Sequence, residues 1–210
     1  MWQRIFRDGF IVAGLSAGLA FPGMAAQGDD PDWPCIQRKV PQLSLGQIWN
    51  GPELPKLAAA ETIDADAVTL VRELAARRVP LAQAQQKIVN FAKSIPAEQR
   101  DQHLLALVEI LFDHMNHERA DVISGIARYA HRQAEMAENL RQEAAAVDAL
   151  RSKPDADPDL LEQRNDQLVF RTRIYQERVQ SLTFVCEVPT LIEQRLYSLA
   201  KTIADVMAGK

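Results

Sequence analysis

The chain reads as an all-α protein: a helical bundle base, a long antiparallel coiled-coil hairpin arm and an extended N-terminal strap. Three observations carry that expectation. Helix-forming Ala, Leu, Gln, Glu and Arg dominate the composition. Only Gly125 and Gly209 follow Gly51, so tight β-hairpin turns lack their usual residue. Residues 97–151 contain no proline and keep one apolar phase throughout.

The elements follow in chain order. Met1 to Gly9 is short and carries Arg4 and Arg7; Phe10 to Ala20 is apolar or small; Pro22 and Gly23 then break the run. Gly23-Met24-Ala25 offers small residues at the −3 and −1 positions of a cleavage site. This order predicts a secretory signal peptide over 1–26, and hence a periplasmic or secreted bacterial protein. The apolar run is shorter than the roughly 20 residues a bilayer span needs, and no later stretch is apolar enough to cross. Asp32-Trp33-Pro34 precedes Cys35, which is not a lipobox.

Charge narrows the partners. The chain has 24 Lys and Arg against 28 Asp and Glu, a net of −4. Losing Arg4, Arg7 and Asp8 with the leader makes the balance one unit more acidic. Such a chain has no electrostatic case for nucleic acid, nor a basic face for anionic lipid.

Residues 27–57 hold Pro31, Pro34, Pro41, Pro52 and Pro55, which forbid any long helix. Trp33, Ile36, Val40, Leu43, Leu45, Ile48 and Trp49 are too apolar for a free tail, so this segment is expected to lie as an extended strap on the rest of the protein. Residues 58–118 and 189–210 are expected to form the base, from helices over 64–78, 82–95, 97–118 and 190–207. Asp64 would cap the first, which places Ala67, Leu70, Val71 and Leu74 on one face and reaches Arg77-Arg78, cations suited to a helix C-terminus. Pro80 opens the second, with Leu81, Ala84, Ile88 and Phe91 at spacings of three and four.

Residues 119–188 are the predicted arm. A heptad laid from Leu105 reads Val108, Phe112, Met115, Arg119, Val122, Ile126, Tyr129, Gln133, Met136, Leu140, Glu143, Val147 and Leu150 without a skip. It predicts one helix roughly 80 Å long, in preference to a break near Asn116. Ser152 to Asp159 is a turn with Pro154 and Pro158, and a second heptad follows: Leu161, Asn165, Leu168, Thr172, Tyr175, Val179, Leu182, Cys186. Pro189 is expected to end or kink that helix. The short turn makes the two helices antiparallel neighbours, with Leu140 near Arg171 and Ile126 near Cys186. Off-seam Ile123, Leu160, Val169, Phe170 and Ile174 would be left for a third surface: a second copy or a protein partner acting through the arm, or the strap.

Cys35 and Cys186 are the only cysteines. In an exported chain they point to one structural disulfide, which requires Cα atoms within about 7 Å. A redox enzyme would more often carry Cys-x-x-Cys, which is absent.

Candidates for chemistry are few. His114, His117, Glu118 and Asp121 cluster in DHMNHERAD, and one helix turn between the histidines is a spacing that metal sites use. The heptad places His114 and His117 on outer positions, where a solvated polar face is expected. Asp155, Asp157 and Asp159 imitate the start of a calcium loop, but Leu160 stands where that loop needs glycine and Asp166 where it needs glutamate. No nucleophile elbow, phosphate-cradling loop or His-Glu-x-x-His motif occurs. No cofactor is expected. The expectation is an exported, non-enzymatic interaction or scaffold protein of the bacterial cell envelope acting through its arm. The alternative is a periplasmic small-ligand or metal-binding helical protein using His114, His117, Glu118 and Asp121.

Overall fold

In a computed structural model, residue 30, residues 33–54 and residues 65–209 are described. The signal peptide expected over 1–26 and the cap expected at Asp64 lie outside these residues. The described chain is all-α, in the order α1 (Leu45–Ile48), α2 (Ala65–Ala75), α3 (Leu81–Ser94), α4 (Ala97–Arg151) and α5 (Pro158–Met207). The two long helices pack as a hairpin.

α4 runs unbroken for 55 residues, straight past Asn116. It starts after Pro96, whose extended ψ of 142° leads the chain into the helix. α5 starts from Asp157, whose carboxylate accepts the Asp159 and Leu160 amides at 2.9 and 3.4 Å, with Pro158 at the first helical position. The acidic turn is thus explained by capping.

Of the two outcomes expected at Pro189, an end or a kink, the end does not occur. The helix neither stops there nor yields a separate segment: it continues through the proline for 50 residues in all. Proline removes the amide that would bond the Val185 carbonyl, yet residue 185 is exposed, so water can take that role. Beyond it, Ile192, Leu196, Leu199 and Ile203 are buried in the main core and hold the helical course.

That core draws on every element. Val71 and Leu74 of α2, Ala84 and Ile88 of α3, and Leu104, Leu107, Leu111 and Met115 of α4 meet the last turns of α5. Leu43, Ile48 and Trp49 of the strap complete it. The strap is not extended throughout: Ser44 and Gln47 form a reciprocal capping box and wind the single turn α1. Gly51 is needed just after it, because a Cβ there would overlap the Trp49 indole. That ring is buried and its Nε1 donates to the Pro52 carbonyl at 2.7 Å.

Guanidinium groups close the helix ends in the base. Arg195 Nε donates to the Leu74 carbonyl at 2.7 Å, in the last turn of α2. Arg100 Nε does the same for Ala92 of α3 at 2.8 Å. These are carbonyls that a helix leaves without internal donors. α2 itself stops at Ala75, so Arg77 and Arg78 fall in the turn beyond it.

Candidate functional site

The hairpin changes character along its length. Within the base α4 is surrounded by α2, α5 and the strap, and it buries a broad stripe. That stripe reaches Ile123, which is buried at the root of the arm. Further out, only every seventh residue stays buried: Ile126, Gln133, Leu140 and Val147, in phase with Arg119. The intervening seam residues Tyr129, Met136, Glu143 and Leu150 are half-buried. A helix with one neighbour can hide only a narrow strip. Ala130, Ala137 and Ala144 flank that strip at the same spacing and let α5 approach closely.

α5 gives less. Before Cys186 none of its described residues is buried. Leu161, Leu168, Thr172, Tyr175 and Leu182 of the expected seam are half-buried, whereas Asn165 and Val179 are exposed. Register is held by polar links across the pair. Arg171 is ion-paired with Glu143, one turn from the expected partner Leu140. The Tyr129 hydroxyl donates to the Arg178 carbonyl at 3.5 Å. At the tip the two helices enclose an open groove of about 410 Å³, floored by Val147, Leu150, Leu160 and Leu168, with Lys153 and Arg164 at its rim.

The strap is clamped where the arm leaves the base. Cys35 and Cys186 form a disulfide with Cα atoms 5.5 Å apart, and both are buried against Ile126. Trp33, Val122 and Leu182 pack around them. Two buried polar side chains of α4 hold the strap further along. Asn116 Oδ1 accepts the Leu43 amide at 3.0 Å while its Nδ2 faces the Leu43 carbonyl at 3.4 Å, so it pairs with the backbone as a neighbouring strand would. Arg119 Nη1 donates to the Val40 carbonyl at 2.5 Å, and its Nη2 lies 3.5 Å from Glu193. Burial pushes the Arg119 guanidinium below its ordinary pKa, and Glu193 opposes that shift. Outside, Lys39 lies 5.9 Å over the Trp33 ring and pairs with Asp30.

The histidine cluster lies on the surface of α4. His114, His117 and Asp121 are exposed and Glu118 is half-buried. His117 Nε2 approaches Asp121 Oδ2 at 3.5 Å, one turn along. Glu118 turns instead toward Arg195, where its charge works against the depression of that guanidinium by burial. Among the described residues no three His, Cys, Asp or Glu side chains converge on a point that could hold a metal ion.

Sequence reasoning misses the role of Asn116, whose partner lies 73 residues away. The polar breaks at Arg119 and Gln133 are visible in the heptad; that one clamps the strap and the other leaves its buried Oε1 without a partner is not. Among the described residues no helix is long and apolar enough to cross a membrane, which with the disulfide is compatible with an exported protein. No protein family, curated protein or solved structure matches this chain.

Proposed function

We propose that the protein is exported to the bacterial periplasm and acts there without catalysis, as an interaction or scaffold protein whose helical arm captures a partner. The observation that carries this reading is the arm's open construction. Between Val122 and Val188 neither long helix contributes to the main core. Six large apolar side chains of α5 in that stretch remain exposed: Leu160, Val169, Phe170, Val179, Phe184 and Val185. Apolar surface concentrated on one projecting element is what a binding surface looks like. The strap, disulfide-bonded and clamped at the root of the arm, gives that surface a rigid base. Export is supported by the charged, apolar and small-residue order of the N-terminal segment.

The test replaces residues 130–173 with a short turn. The base is expected to stay folded, because none of its core residues lies in that stretch. Crosslinking in intact cells should then lose the partner that the full chain captures. Unchanged capture by the shortened protein would refute the reading.

A further inference from the structure

α5 has two apolar sides. One faces α4 through Leu168, Tyr175 and Leu182. The other carries Phe170, Phe184 and Leu191, 54%, 71% and 50% exposed, spaced by multiples of seven with Glu177 in the remaining position. At 3.6 residues per turn these four fall within a sector of about 60°, opposite the α4 seam. Half-buried Ile174 borders the same stripe, while Val188 at its base end already packs on the main core. A helix that is apolar on opposite sides is one that packs between two neighbours, and along the arm, before α5 enters the base, the described chain supplies only α4.

The sequence of the stripe says what the other neighbour is. Val169-Phe170 and Phe184-Val185 are the same pair read in opposite directions, each seven to eight residues from Glu177. All four side chains are exposed. An isologous two-fold contact makes residue i meet j while j meets i, so about an axis at Glu177 this order sets apolar residues against apolar residues on both sides. We propose that α5 pairs antiparallel with α5 of a second copy of this chain, about a two-fold axis at Glu177, so that Phe170 of each copy packs on Phe184 of the other. The proposal rests on the reading of the arm as a contact surface and names its occupant.

Charge at the axis is balanced. The two Glu177 carboxylates come side by side there, but each already has Arg173 one turn away, with Nε 3.7 Å from Oε1. The same guanidinium lies 5.5 Å from the Phe170 ring centroid, at the edge of the proposed contact. The centre therefore holds two charges of each sign, with Val169 and Val185 flanking. The drift of a seven-residue stripe, about 20° per heptad, is taken up by left-handed coiling of the pair. Extended to Leu191, the stripe meets Gln163 of the second copy, giving a contact about 40 Å long.

Sedimentation equilibrium on the purified, disulfide-bonded protein tests this. A concentration-dependent dimer is expected. Phe170→Glu and Phe184→Glu should each weaken it on the order of a hundredfold, with helix content unchanged, and with Tm unchanged at concentrations where both proteins are monomeric, because both side chains are exposed. Glu177→Cys, placed on the axis, should form a symmetric 177–177 disulfide between copies, identified by peptide mapping. A protein that stays monomeric to millimolar concentration, a dimer indifferent to both glutamates, or a Glu177→Cys dimer that forms no 177–177 link each overturns the proposal. Monomeric protein that still captures its partner through residues 130–173 defeats the pairing and leaves the interaction reading standing. A dimer whose partner capture ignores those residues does the reverse.

Discussion

Asn116 shows how one side chain can decide where a segment lies. Its amide satisfies both the N–H and the C=O of Leu43, in a buried place where neither could reach water. Asn116→Ala leaves those groups unpaired, at a cost of about 1–3 kcal/mol. The variant should melt at lower temperature, and hydrogen exchange at the Leu43 amide should accelerate more than in α2 or α3. Equal exchange in both proteins would show that the apolar anchors Leu43, Ile48 and Trp49 hold the strap unaided. In the sequence a break near Asn116 would bring α4 closer to average helix length, but the unbroken apolar phase favours continuity, and neither reading gives Asn116 a role. Its actual partner is remote in the chain, so no local pattern could reveal it.

At the scale of the element, the helices are largely legible. The apolar phase of 97–151 predicts α4 as one helix, and α4 is one helix. Proline misleads at two scales of stiffness. Five prolines make 27–57 look wholly extended, yet Ser44 to Ile48 lie between Pro41 and Pro52 and wind one turn. Pro189 looks like an end or a kink, and α5 does not end there because buried residues on the far side keep it helical. Pro189→Ala restores the amide to the Val185 carbonyl and should stabilise the protein by about 1–2 kcal/mol, less than the roughly 3 of an exposed helix because the buried ring also packs. Thermal unfolding measures this. A lower Tm would mean that the packing of the ring outweighs the missing hydrogen bond.

Across the whole molecule the disulfide ties the strap to α5 at the root of the arm, at a sequence separation of 151. Closing so long a loop removes denatured-state entropy equivalent to about 5 kcal/mol in the ideal model and typically 2–4 in practice. Replacing Cys35 and Cys186 together with serine should lower the Tm accordingly. The strap near residues 33–40 should lose hydrogen-exchange protection first, while the main core, which contains neither cysteine, keeps its helices. An unchanged Tm would mean that residual structure in the unfolded chain already supplies the restraint. The pairing of these cysteines follows from their number and from the export signal, and the hairpin register already sets Ile126 near Cys186; the packing of Trp33 around the bond is decided only by the tertiary structure.

Helix periodicity, proline and glycine placement, capping residues and charge are short-range properties, each set by residues within a turn or two of one another. They are enough to predict the all-α class, the long hairpin and its turn, and one disulfide. The strap's path, the burial of every seventh residue of α4 and the clamps at Asn116 and Arg119 depend on which surfaces meet across many tens of residues. Heptad phase says that a helix has an apolar stripe; only packing says whether a neighbour covers it. The arm is where the two diverge, because two helices can cover only one side of each other, and the stripe through Phe170 and Phe184 is what remains.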